Sequence, residues 1–210
     1  MFNLFSILFC LSLLYLSVTS RLNAYISVLR IQGILLTLLL LFHSIGHFSV
    51  LTLILPLTLF TIKVILVPRY IKKIIFDLEI KRTIESSMRQ FSFLLLVLFS
   101  MAVIFFVSNS LSKSVKIDII PFASGFSSVV IGLFVIMLRK KLIVHVIGFL
   151  VMENGIFLFG SALSFKIPLM IELGALLDVF VVVFLMGIAL NKISSTFSGF
   201  DITELRRLKD

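Results

Sequence analysis

Residues 91–110 read FSFLLLVLFSMAVIFFVSNS and contain no Asp, Glu, Lys or Arg. A transmembrane helix needs about 20 mostly apolar residues, because each residue adds about 1.5 Å and the hydrocarbon core is about 30 Å thick. Comparable apolar runs occur at six other places, namely residues 2–19, 24–42, 48–68, 119–138, 142–162 and 168–190. The sequence therefore predicts an all-α integral membrane protein of about seven transmembrane helices.

The composition of the 210-residue chain points to a lipid environment. Hydrophobic residues make up 60% of it, and the mean hydropathy is +1.23. A soluble domain has about 45–50% apolar residues, so lipid must cover much of this surface. The net charge of +9 comes from basic residues in short loops between apolar runs. We therefore expect no nucleic-acid partner, because no basic domain is present to bind one.

The distribution of Lys and Arg predicts the orientation. If the seven runs alternate across the bilayer, 14 of the 19 basic residues fall on one side and 3 on the other. Basic loops stay on the cytoplasmic side of a membrane, so we expect the N-terminus outside and the C-terminus in the cytoplasm. The first run has no Lys or Arg before it, so it is interpreted as a retained helix and not as a signal peptide.

The chain divides into three predicted regions. Residues 1–118 form a four-helix membrane region, in which the cytoplasmic loop 69–90 has the pattern of an amphipathic surface helix. Residues 119–190 form a three-helix region, and residues 191–210 form a polar cytoplasmic tail. Pro68 is expected to end the third span. No phosphate-binding loop, nucleophile elbow or zinc motif is present, so we do not expect catalysis by this chain alone.

Two acids within predicted spans are the strongest candidates for function. Glu153 lies 12 residues after Lys141, and Asp178 lies 14 residues before Lys192, which places both acids about 18–21 Å from the cytoplasmic edge. Gly174, one turn before Asp178, would let a neighbouring helix approach closely. Two carboxyls at equal depth on adjacent helices can pass a proton through a water molecule. The alternative is that each acid only fixes helix packing through hydrogen bonds.

Three further ionisable side chains are candidates for this pathway. Lys63, about 9 Å deep, either snorkels to the cytoplasmic surface or pairs with an acid and relays protons. Arg30, about 13 Å deep, would be a fixed counter-charge, because a guanidinium does not lose its proton readily. His145 lies four residues after Lys141, and is either an ordinary interfacial histidine or a titrating entry group.

The remaining candidates have simpler interpretations. Cys10 is the single cysteine, so we expect a packing residue and neither a disulfide nor a cysteine metal site. His43 and His47 have a spacing that can bind a metal, but no nearby acid or cysteine completes a site. Glu172 is expected near the outer end of the seventh span. We therefore predict no metal and no cofactor in this chain.

Three segments resemble component E of hydrogenase-4-type complexes, and the resemblance extends over nearly the whole chain. They are residues 61–68 (TIKVILVP), 147–155 (IGFLVMENG) and 172–180 (ELGALLDVF). The resemblance implies a membrane-arm subunit that bridges antiporter-like and complex I H-like subunits to a hydrogenase module in a prokaryotic plasma membrane. In that family the NiFe centre and the iron–sulfur clusters belong to partner subunits.

Residues 119–190 are also similar to the K subunit of complex I and to the C subunit of Mrp-type cation/proton antiporters. Those subunits have a basic turn like residues 139–141, a helix with a membrane glutamate, and an acid in the next helix. The first glutamate of the K subunit falls where this chain has Leu150, and Glu153 lies one turn deeper on nearly the same face. Asp178 falls at the position of the second acid. The implied alternatives are a structural scaffold or an antiporter subunit without a redox module, and the transported ion is either a proton or Na⁺.

Overall fold

In a computed structural model of the chain, the described residues are 2–44, 50–77, 84, 88–112, 118–163, 174, 178, 180, 181, 184 and 187. All regular secondary structure among them is helical, which confirms an all-α architecture for this part of the chain. The helices are α1 (Phe2–Val18), α2 (Leu22–Ser44), α3 (Val50–Phe60), α4 (Val67–Asp77), α5 (Gln90–Leu111), α6 (Ile119–Leu138) and α7 (Leu142–Ala162). A π-helical segment, Thr61–Leu66, joins α3 to α4.

Four helices are long and apolar enough to cross a membrane. They are Leu22–Phe42 within α2, and the full lengths of α5, α6 and α7. Helix α1 is apolar but shorter, with 17 residues. Most of the predicted seventh span lies outside the described residues, as do Glu172, His47 and the tail 191–210. The four long helices agree with four of the seven predicted runs.

The third predicted span differs from the sequence prediction at Pro68. The helical backbone does not end there but continues from α3 through the π-helical segment to Asp77. Within that segment the Val67 N–H donates to the carbonyl of Ile62, five residues back. Proline lacks the N–H of a regular helical bond, and a wider π turn is a common way for a helix to absorb such a local defect.

Helix α4 has the amphipathic character predicted for the loop. Ile71, Ile74 and Ile75 are buried, whereas Lys72 and Lys73 are exposed. The described part of this helix ends at Asp77, and most of residues 78–87 lie outside the described part of the chain.

Helices α6 and α7 pack closely through four glycines, Gly125 and Gly132 of α6 and Gly148 and Gly155 of α7, which we call the glycine seam. A Cβ atom added at Gly132 would lie 2.7 Å from the carbonyl oxygen of Gly148, and one added at Gly155 would lie 2.6 Å from Ser128 Cβ. Ser128 Oγ donates to the carbonyl of Val151 across the same interface at 2.8 Å. Small residues allow this backbone approach, which is typical of helix pairs in membranes.

The two predicted membrane regions pack against each other. Helix α1 contacts α6, where Cys10 Sγ donates to Ser124 Oγ at 3.2 Å, and α2 contacts both α7 and the π-helical segment. The exterior is apolar as well: Phe91, Phe99 and Phe106 of α5 are 70–75% exposed. An apolar face of this kind on a long helix suits acyl chains and would be unfavourable in water.

Candidate functional site

The π-helical segment places Lys63 inside the bundle. Helix α2 approaches it at Gly33, where an added Cβ would lie 3.1 Å from Val64 Cγ2 and 3.2 Å from Lys63 Cβ. The absence of a side chain at Gly33 therefore lets the two backbones come close enough to cover Lys63, which is only 6% exposed. Single π turns within helices occur frequently at functional sites, so this one marks Lys63 independently of its charge.

Lys63 Nζ lies between the two predicted acids. It donates to Glu153 Oε1 at 2.6 Å, and it lies 3.3 Å from Asp178 Oδ2. Glu153 is 4% exposed and Asp178 is 2% exposed. Of the two interpretations of Lys63, the structure therefore favours pairing with acids of its own chain over snorkelling to the surface. We call Lys63, Glu153 and Asp178 the ionic cluster.

The carboxyls of the cluster are close to each other and incompletely paired. Both carboxyls contact the same atom, Lys63 Nζ, at 2.6 Å for Glu153 Oε1 and at 3.3 Å for Asp178 Oδ2. Among the described residues, Glu153 Oε2 and Asp178 Oδ1 have no hydrogen-bond donor. Gly174 leaves the space that Glu153 uses, since an added Cβ would lie 3.1 Å from Glu153 Oε1. The close approach expected at Gly174 is therefore made by the Glu153 carboxylate.

The energetics of this arrangement favour a functional role over a purely stabilising one. Removing a charge from water costs roughly several kcal/mol per ion. The attraction within a buried pair often does no more than offset that cost. A cluster with unpaired oxygens gains even less. Ionisable groups kept within a membrane at such cost commonly line ion or proton paths.

A chain of polar side chains beside the cluster was not predicted from the sequence. Asn154 Nδ2 donates to Gln32 Oε1 at 3.1 Å, and Gln32 Nε2 donates to Ser12 Oγ at 3.2 Å. All three side chains are buried, and the chain connects α7, α2 and α1. The sequence feature that could have indicated this chain of hydrogen bonds is a side-chain amide in each of two apolar runs, namely Gln32 and Asn154, which is next to Glu153. No spacing rule predicts which amides meet across helices.

Arg139, one of the basic residues of the turn at 139–141, is buried. It is 2% exposed, because its guanidinium carbon lies over the Phe93 ring at 4.7 Å and over the Tyr25 ring at 5.9 Å. Its Nη atoms lie 3.4–3.5 Å from Gln90 Oε1. Stacking on aromatic rings lets a guanidinium leave water at a helix end, which loop charge counts do not foresee.

Arg30 and His145 lie apart from the cluster contacts. Among the described residues Arg30 forms no ion pair with either acid, and its Nε has no hydrogen-bond partner. His145 Nε2 contacts the carbonyl of Arg139 at 2.5 Å. His145 lies eight residues before Glu153, which is about 12 Å along the helix axis. Both remain predictions as pathway residues. Within the described part of the chain no group of His, Cys, Asp and Glu could hold a metal ion.

Leu150 is the position at which the resemblance to the K subunit predicts the first glutamate. Its side chain is 2% exposed, and Glu153, three residues later, is also buried. The two positions thus both face the interior of the bundle, as residues three apart on a helix do. The acid of this chain is therefore displaced along α7 but stays on the buried side.

Comparisons with known proteins give one distant relative. The Uncharacterized protein Rv0085 of Mycobacterium tuberculosis (strain ATCC 25618 / H37Rv) is 35% identical over 101 residues, which is 48% of this chain and 45% of the relative. The matched region thus spans less than half of either protein. No family model and no solved structure matches the chain.

Proposed function

We propose that this chain is a non-catalytic membrane-arm subunit of a hydrogenase-4-like or complex I-like respiratory complex, and that its ionic cluster forms part of a proton or cation pathway coupled to electron transfer. The observation that carries the proposal is a buried lysine in contact with two buried carboxyls from different segments of the chain. Such a set can exchange a proton or cation internally, which a single buried acid cannot do without a partner.

We also propose the number of spans, the orientation and the partner subunits of the chain. The chain has seven spans, with the N-terminus outside and the C-terminus in the cytoplasm of a prokaryote, and it bridges antiporter-like and complex I H-like subunits to a redox module. The NiFe centre and the iron–sulfur clusters lie in partner subunits. The segments that resemble hydrogenase-4 component E support this assignment, and each of the three contains one cluster residue, namely Lys63, Glu153 or Asp178.

The first test is purification of the tagged full-length chain in mild detergent, with identification of the bound subunits by mass spectrometry and of metals by elemental analysis. Hydrogenase subunits with nickel and iron would support the proposal. Recovery of antiporter subunits alone would replace it with an Mrp-type antiporter, and recovery of the chain alone would remove the assembly claim.

The second test separates coupling from assembly. We expect Glu153→Gln and Asp178→Asn to preserve assembly and to lower proton movement per electron at least about tenfold, since one charge of the exchanging set is lost. Lys73→Gln on the exposed face of α4 is the matched control and should change neither quantity. Unchanged coupling in both acid variants would contradict a pathway role.

A structural scaffold is the second candidate function, and one observation favours it. The cluster links the π-helical segment, α7 and the segment that contains Asp178, so its contacts also hold these parts together. In that case the acid variants would lose assembly while any complex that does form stays fully coupled. The ratio of coupling to assembled complex therefore decides between the two functions.

A further inference from the structure

The ionic cluster has an unequal number of positive and negative groups. With all three groups ionised it contains one ammonium and two carboxylates, which leaves a net charge of −1 in a site that is 2–6% exposed. An uncompensated charge is strongly disfavoured away from water. Uptake of one proton makes the cluster neutral.

No second cation in the described structure balances the charge. Lys63 is the one basic group within 4 Å of either acid among the described residues. Arg30, on the neighbouring helix α2, is the nearest alternative by sequence position, being one turn before Gly33. It is half-buried and forms no ion pair with either acid among the described residues, so its charge is not counted as part of the cluster.

The lysine contacts both acids but lies closer to one of them. The distance from Lys63 Nζ to Glu153 Oε1 is 2.6 Å, slightly shorter than the about 2.7–2.9 Å usual for a charge-assisted bond. The distance to Asp178 Oδ2 is 3.3 Å. Two carboxyls therefore share one ammonium, and one of them must take up a proton for the cluster to be neutral.

We propose that the cluster holds one exchangeable proton, shared between the Glu153 and Asp178 carboxyls, and that the Lys63 ammonium takes the place of a metal cation between them. The exchanged species is then a proton and not Na⁺, because a tethered positive charge already contacts both acids and one proton is enough to make the cluster neutral. This inference deepens the proposed function by naming the ion, and its proton count does not depend on the redox partners.

The test is infrared spectroscopy of the full-length chain in lipid nanodiscs at neutral pH. The measured quantity is the carbonyl stretching band of protonated carboxylic acids, identified by its shift in D₂O. Outside the cluster, Asp118 is the one acid whose exposure is described; it is exposed, and a water-exposed carboxyl is ionised at neutral pH. Band areas relative to wild type remove any background that the variants share.

The charge count predicts the band area of each variant. Wild type contains one protonated carboxyl, and Glu153→Gln and Asp178→Asn contain none, because one lysine then balances one acid. Lys63→Met contains two, a doubling of the wild-type band. Arg30→Gln contains one, as in wild type. If Arg30 balanced the charge of the cluster, wild type would contain no protonated carboxyl and Lys63→Met would contain one. That result would overturn the proposal.

Two measurements on the wild-type chain avoid any dependence on variant folding. Selective ¹³C labelling of aspartate and of glutamate should between them shift the whole band; a band that neither label shifts would overturn the proposal that a cluster carboxyl holds the proton. Replacing choline chloride by sodium chloride should leave the band area unchanged, and its loss would overturn the exclusion of Na⁺. A complex that moves no protons but retains the one-proton band would contradict the proposed function and leave the proton count intact.

Discussion

The glycine seam and the ionic cluster are both built on α7, yet they bring helices together in opposite ways. At the seam, α6 and α7 meet because side chains are absent, and backbone atoms approach to distances that no Cβ could share. At the cluster, charged side chains meet in the interior and leave two carboxyl oxygens without a donor. Gly155 of the seam and Glu153 of the cluster lie only two residues apart.

This contrast indicates that the glycine seam stabilises the fold, whereas the ionic cluster can change its protonation state. Close backbone packing gains dispersion energy at many atoms and has one low-energy arrangement. A buried ionic cluster contributes little net stability and has several protonation states of comparable energy. We infer that the seam holds α7 in place so that Glu153 stays at a defined position while the charges around it change.

The largest expected effect comes from blocking the seam. Gly132→Leu forces a side chain into space that the Gly148 carbonyl and Met152 occupy, so we expect a loss of about 4 kcal/mol or more in unfolding free energy and little folded protein. Unfolding in detergent and monodispersity on gel filtration measure this. Gly187→Leu is the matched control, because nothing described lies within 4 Å of a Cβ there. Equal losses in the two variants would contradict the seam.

Removing the lysine should have the next largest effect. Lys63→Met keeps most of the unbranched side chain and leaves two carboxyls without their cation, so we expect a loss of about 3 kcal/mol, limited because an acid can take up a proton instead. Lys73→Met, on the exposed face of α4, should change stability by less than about 0.5 kcal/mol. The same unfolding assay measures both variants. If Lys63→Met left the unfolding free energy unchanged, the lysine would not be buried against the acids.

The polar chain beside the cluster should contribute less. Gln32→Leu removes the acceptor for Asn154 Nδ2 and the donor to Ser12 Oγ, and we expect a cost of about 1–2 kcal/mol. A double-mutant cycle with Asn154→Leu should give a coupling energy of about 0.6 kcal/mol, the usual size for such bonds between membrane helices. Ser27→Ala, at an exposed hydroxyl of α2, is the control. Additive effects of the two substitutions would show that Gln32 and Asn154 do not interact.

The smallest effect is expected at Gly174. Alanine gains up to about 1 kcal/mol over glycine within a helix, but here its Cβ would lie 3.1 Å from Glu153 Oε1 and push the carboxylate by a few tenths of an ångström. We therefore expect Gly174→Ala to be about 1 kcal/mol less favourable than Gly187→Ala, where the Cβ meets nothing described. Equal stability of the two variants would indicate that Glu153 does not approach Gly174.

The sequence could predict how deep each ionisable residue of the site lies along its helix. Counting residues from basic loops placed Glu153 and Asp178 at one level, because helical rise is constant. The same count put Lys63 about 9 Å deep and left open whether it snorkels, since rise says nothing about direction around the axis. The π turn and Gly33 decide that direction by bringing α2 over the lysine.

Arg139 and Gln32 show where such reasoning ends. Arg139 follows an apolar run and looks like any loop charge, but Tyr25 and Phe93, distant in sequence, provide the rings on which it is buried. Gln32 is a single amide within an apolar run, and its two partners lie 20 and 122 residues away. Contacts of this range depend on helix rotation and packing, which no local pattern encodes.

The sequence by itself determined a helical chain suited to lipid, because the cost of exposing apolar side chains to water and backbone groups to hydrocarbon depends only on composition and run length. It also determined which ionisable groups lie inside the apolar runs. Only the tertiary structure decided that Lys63 meets both acids and that Arg139 is buried. Charge pairing is a matter of a few ångströms, and those distances are set by which helix faces which and by the glycines that let the helices approach.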